Sequence, residues 1–255
     1  MENIIKEVLL ITIYQTKMRF DGTLYRGLNG TLDHGSCLIL AGPSNCGKTT
    51  FAVNLIRYRK IMFNENILKI IIITPHEQSI FDNLKETEEN DNVEIFNELP
   101  TYDEIENMAD RHMNHGLILL LDDIMEEMDS KLQLSRIFTK LCHHKRLTCI
   151  LCVQNLFFQS NQYRNMSLNA SYLSLFNNPR DLRQISILGG RMYPGNAGLF
   201  VNAFQRATSQ PYSYLFIDYR QKSKNFMRLR THILPTDVEP MSIFMPNEKF
   251  LIAAK

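Results

Sequence analysis

The chain has 255 residues, 44% of them hydrophobic, and its 28 basic and 27 acidic side chains leave a net charge of +1. That length and apolar content allow a full core and suit one compact domain with elaborations better than two complete ones. Near-neutrality excludes nucleic-acid binding through overall charge, so any such contact must come from local patches, while five scattered cysteines, no signal peptide and no apolar run near ~18 residues point to a reducing, soluble compartment.

In chain order, VLLITIY at 8–14 is too short to span a bilayer and reads as an N-terminal strand. Apolar strand candidates follow at 37–41, 68–74, 117–121, 148–153, 171–176 and 212–218, and helical patterns at 48–62, 77–86, 101–114, 130–142 and 179–190. Continuous apolar runs, as opposed to alternation, are what a sheet covered on both faces requires. Strands alternating with helices predict an α/β, doubly wound, mostly parallel sheet. The expected organisation is an extension over 1–36, a core over 37–219 and a basic hairpin with a tail over 220–255, in which EPMSIFMP reads as extended.

Directly behind the first core strand lies AGPSNCGKTTF, in which Gly42, Gly47, Lys48 and Thr49 fill the fixed positions of a phosphate loop between a strand and a helix. Such a loop points several backbone N–H groups at phosphate oxygens, and the following helix adds its positive end. Gly42, Pro43, Ser44, Asn45, Cys46, Gly47, Lys48, Thr49 and Thr50 are expected to surround the phosphates of ATP. Lys48 should reach the β and γ phosphates and the Thr49 hydroxyl should ligate Mg²⁺. Cys46 reads as a small loop filler.

LILLLDDIMEEMDS delivers Asp122 and Asp123 to the end of the next but one core strand, the edge at which open α/β sheets bind ligands. Asp122 would sit beside Mg²⁺ and Asp123 would orient the attacking water. The plainer alternative is that the paired acids start the next helix. Glu126 and Glu127 read as a solvated face. In ILCVQN, Gln154 ends the following strand on the same edge, where its amide could report the state of the γ phosphate or simply cap the strand.

CHHKRLTCILC holds zinc donors, but Cys149 and Cys152 are three apart on a strand and point to opposite faces. His143 and His144 then read as the exposed end of a helix. Charge is uneven: residues 82–106 carry ten acids and only Lys85 as a base, whereas Arg220, Lys222, Lys224, Arg228 and Arg230 crowd an acid-free stretch. With a turn at 220–224 and a strand at 226–230, Arg228 and Arg230 would share a face that could track a phosphate backbone, or form a solvated edge hairpin.

Taken together, GPSNCGKTTF, LLLDDI, CHHKRLTCILCVQNLF, SLNASYLSLFNNPRD, RMYP and PYSYLFIDY resemble the genome-packaging ATPases of the FtsK-HerA superfamily, in particular the poxvirus-type branch and its relatives in Polinton (Maverick) elements. The resemblance implies a RecA-like ATPase core that forms a homo-oligomeric ring of five or six subunits and drives double-stranded DNA into a preformed capsid, meeting capsid or portal-vertex proteins in the host nucleus, a cytoplasmic virus factory or the virion. It also implies an arginine finger from a neighbouring subunit, for which Arg180 is the first choice ahead of Arg164 and Arg146. Arg180 could instead pair with Asp181 or Asp103. The other readings are a helicase or replication initiator and, less favoured by the Asp pair and Gln154, a small-molecule kinase.

Overall fold

The computed structural model describes residues 8–12, 31–88, 92–124, 134–155, 166–180 and 182–246. They build one sheet of ten strands: β1 (Val8–Thr12), β2 (Cys37–Ala41), β3 (Lys69–Ile73), β4 (Val93–Phe96), β5 (Leu117–Leu121), β6 (Leu147–Val153), β7 (Tyr172–Phe176), β8 (Tyr214–Asp218), β9 (Leu229–Thr231) and β10 (Ser242–Pro246). The spatial order is β1-β10-β9-β8-β7-β2-β6-β5-β3-β4. From β7 to β4 every pairing is parallel, and from β7 to β1 every pairing is antiparallel. The expected α/β sheet with helices on both faces is therefore present, extended on one side by an antiparallel half. EPMSIFMP, expected as an extended tail, supplies β10, and 8–12 of the N-terminal segment pairs with it.

The helices are α1 (Lys48–Arg57), α2 (Ser79–Thr87), α3 (Tyr102–Arg111), α4 over 134–144, α5 (Leu182–Met192) and α6 (Ala197–Ala207). The pattern read as one helix over 48–62 breaks at Tyr58, and α4 has π geometry over Ile137–Leu141. Strand β4 and helix α6 lay outside the expected elements.

The apolar runs are continuous because alternate residues of each parallel strand feed two separate cores. On one face Ile71, Leu119, Leu121, Cys149 and Leu151 pack with Ile105, Phe138, Ile185 and Phe200 from α3 to α6. On the other, Leu40, Ile72, Leu120, Ile150 and Cys152 pack with Phe51, Leu55, Ile56, Phe81 and Leu84 from α1 and α2. Burying each such side chain contributes about 1.5–3 kcal/mol. Cys149 and Cys152 thus sit in opposite cores, and among the described residues no group of His, Cys, Asp or Glu could hold a metal by itself. No helix among them is long and apolar enough to cross a membrane.

Local chemistry fixes the joints. Thr101 Oγ1 accepts from Glu104 N–H at 3.3 Å while Thr101 N–H donates to the Glu104 carboxylate at 2.7 Å, a capping box that starts α3. The buried Arg59 guanidinium holds both carboxylate oxygens of Glu88 at 2.7 Å, tying the end of α2 to the segment behind α1.

Candidate functional site

All parallel strands end at one edge, and four loops converge there. The loop after β2 leaves the sheet at Gly42, whose N–H donates to the Val153 carbonyl at 3.1 Å. A Cβ on Gly42 would lie 2.7 Å from Phe176 Cβ and 2.8 Å from Cys46 Sγ, so only glycine fits. Asn45 and Gly47 take left-handed backbone, φ 60° and 101°, which turns the chain tightly into α1. Cys46 is partly buried beside Gly42, its thiol pushed up by that burial. Lys48 Nζ folds onto its own loop, donating to the Gly42 and Pro43 carbonyls at 2.8 Å each. The edge-on contact of Phe51 with Tyr214, 4.7 Å between centroids, anchors the first turn of α1 to β8.

Two strands away, β5 ends in the acid pair. Asp122 is buried and accepts from Thr49 Oγ1 at 3.0 Å and from Gln78 Nε2 at 3.2 Å. Asp123, at φ 55°, turns the opposite way and is exposed. Gln154 Nε2, at the end of the intervening strand β6, donates to Asp123 Oδ1 at 3.1 Å, and His76 Nε2 stands 3.8 Å from Asp123 Oδ2. Burial, then the Asp122 carboxylate, pushes the Cys152 thiol up, so it is a protonated neighbour of that acid. Gln78 and His76 were not among the expected residues; their signal was the loop after β3, which ends on the same edge.

Thr49 Oγ1 and Asp122 Oδ2 present hard oxygens 3.0 Å apart on the edge that carries Lys48, with the Gln78 amide N–H holding Asp122. That donor set fits Mg²⁺, which takes one or two protein oxygens and completes its shell with water and phosphate. The loop opens into a cleft of ≈ 790 Å³ that also reaches Gln78, Tyr212, Tyr214 and Asp237. Asp237 Oδ2 accepts from Tyr214 Oη at 2.6 Å and from Leu234 N–H at 2.8 Å, with burial as the main cause pushing its carboxyl up.

The remaining expected residues are distributed differently. Arg180 is exposed in the loop after β7, on the site's edge, with its N–H on Asn178 Oδ1 at 3.2 Å and no pair with Asp103 among the described residues. Arg146 lies at the opposite end of β6 from Gln154, ion-paired with Glu65. Arg164, Asp181, Glu126 and Glu127 lie outside the described residues. His143 and His144 are exposed at the end of α4, as expected.

The basic stretch is corrected. Arg230 is only 1% exposed and its guanidinium donates to Asp218 at 3.2 Å, so it cannot track a backbone together with Arg228. Arg228 donates to the Asp218 carbonyl, Arg220 pairs with Asp218 and Asp33, and Lys222 pairs with Asp33. Two acids outside the stretch, one of them far upstream, absorb charge that looked free along the chain.

No family model matches the chain, and neither does any curated protein. Among solved structures it is similar to the DNA-packaging ATPase of Sulfolobus turreted icosahedral virus, at 12% identity over 85% of this chain and 100% of that one, with a TM-score of 0.49. The genome-packaging NTPase of Sulfolobus turreted icosahedral virus 2, solved with ATP-gammaS, is similar at 14% identity over 83% and 97% of the two chains, TM-score 0.47. The cytoplasmic domain of the Type VII secretion ATPase of Thermomonospora curvata is similar at 13% identity over 82% of this chain but 25% of that one, TM-score 0.46.

Proposed function

We propose that this protein is an ATP-hydrolysing motor that moves double-stranded DNA, in the manner of a viral genome-packaging ATPase. The observation that carries the hydrolytic part is the convergence, on one sheet edge, of the Lys48 loop, the Thr49–Asp122 pair and the Gln154–Asp123 pair. The DNA and capsid part rests on the motif set of the sequence, above all VQNLF, LNASYLSLFNNPRD and RMYP.

In this reading the loop N–H groups and Lys48 bind the phosphates, and Lys48 exchanges its two carbonyl partners for phosphate oxygens. Thr49 and Asp122 would hold Mg²⁺, which supplies charge neutralisation at the phosphates when bound. Asp123 orients the attacking water and accepts its proton, and Gln154 holds Asp123 in position from the adjacent strand. The Asp122–Asp123 pair with Gln154 beside it suits activation of water and favours hydrolysis over a kinase.

The test is phosphate release with and without double-stranded DNA, together with displacement of a third strand from a DNA triplex. Lys48→Ala should weaken ATP binding and abolish release, whereas Asp123→Asn should bind ATP and fail to hydrolyse it. Turnover indifferent to duplex DNA and no triplex displacement would leave an ATPase of another kind. Wild-type turnover by Asp123→Asn would remove Asp123 from the chemistry.

A further inference from the structure

The turn Gln210-Pro211-Tyr212-Ser213 joins α6 to β8, closed by Ser213 N–H to the Gln210 carbonyl at 3.2 Å and locked by Ser213 Oγ on the same carbonyl at 2.6 Å. Proline at its second position and positive φ at its third, 64° at Tyr212, are the marks of a type II turn, whose third position favours glycine or asparagine. A bulky side chain there is strained, and such strain concentrates at binding sites. Tyr212 gains no burial in return, being 71% exposed.

Its placement offers a reason. Strand β8 runs antiparallel to β7, with Tyr214 opposite Phe176, so the turn before β8 stands on the same edge as the phosphate loop. A Cβ on Gly47 would meet Tyr212 Cβ and Cδ1 at 3.5 Å, which puts the tyrosine ring against the last glycine of that loop. Lys48, Thr49 and Gln78, which bonds Asp122, line one cleft together with Tyr212, Thr236 and Asp237. A ligand with its terminal phosphates at Lys48 can therefore reach Tyr212 with its remaining half inside the same cleft.

We propose that Tyr212 is the stacking platform for the base of the bound nucleotide, a role that rests on the phosphate-loop reading above. Stacking uses the π face of the base and not its edge, so Tyr212 contributes similarly to ATP and GTP and does not choose between them.

The experiment measures equilibrium binding of ATP, GTP and inorganic tripolyphosphate to wild type, Tyr212→Phe, Tyr212→Gly and Lys48→Ala. Tyr212→Gly removes the ring and relieves the positive φ, so its melting temperature should not fall, which separates lost stacking from lost folding. ATP and GTP should each bind about 5- to 100-fold more weakly to Tyr212→Gly, within about twofold of wild type to Tyr212→Phe, and tripolyphosphate should be held equally by all three. Lys48→Ala should lose affinity for all three probes. Unchanged ATP affinity in Tyr212→Gly overturns the proposal, as does a parallel loss of tripolyphosphate, which would make Tyr212 a prop for Gly47. Wild-type protein that binds neither ATP nor tripolyphosphate overturns the phosphate-loop reading and this inference with it.

Discussion

Gln154 Nε2 donates to Asp123 Oδ1 at 3.1 Å across the ends of two adjacent parallel strands, β6 and β5. Asp123 is exposed and takes left-handed backbone, and among the described residues this bond and His76, 3.8 Å away, bear on its carboxylate. Gln154→Ala should lower the maximal rate of ATP hydrolysis by about 10²- to 10³-fold, the scale of losing one preorganised donor, with little change in ATP affinity. Single-turnover kinetics separates the two. A rise in dissociation constant with an unchanged hydrolysis rate would make Gln154 a binding residue instead.

The Thr49 hydroxyl, 3.0 Å from Asp122, is expected to share Mg²⁺ with it. Thr49→Val should raise the Mg²⁺ concentration for half-maximal turnover about 10- to 100-fold, and Thr49→Ser should restore it. ATP affinity measured in excess chelator should be the same for wild type and Thr49→Val. A chelator-independent loss of affinity would assign the hydroxyl to the phosphates.

Arg180 stands exposed in the loop after β7, on the site's edge. Arg180→Ala should lower turnover by about 10³-fold or more if it completes the next subunit's site. Mixing it with Lys48→Ala should restore part of the activity, because some interfaces then join an intact finger to an intact loop. Mixtures as inactive as the separate variants, in a protein that stays monomeric with ATP and DNA present, would rule out a shared site.

Asp218 and Arg230, both 1% exposed, form a buried pair to which Arg220 adds a second cation at 2.7 Å. Asp218→Asn removes the carboxylate charge beside the buried Arg230, while Arg220 keeps Asp33, and should cost about 3–5 kcal/mol in urea unfolding. Arg230→Met should cost less, since Asp218 keeps Arg220, and should leave the salt dependence of DNA binding unchanged. The reverse order of stability, or a flatter salt slope for Arg230→Met, would contradict the buried role.

The two-sided parallel sheet and the placement of the candidate site residues on its edge were legible along the chain. Each apolar run states its own burial on both faces, and the phosphate loop, Asp122–Asp123 and Gln154 each follow such a run within a few residues. One contiguous segment therefore carries both the local conformation and the candidate side chain. Strand β4 was hidden because it is a half-exposed edge strand inside an acidic stretch, with neither a continuous nor a strongly alternating pattern. The antiparallel half of the sheet was hidden because short strands such as β9 exist only through their partners. Asp33 meeting Lys222 and Arg220, Gln78 meeting Asp122, and Tyr212 standing against Gly47 are contacts between distant segments. Their residue types look ordinary in sequence; only the order of strands in the sheet, which packing decides, determines which charges are cancelled and which ring faces the loop.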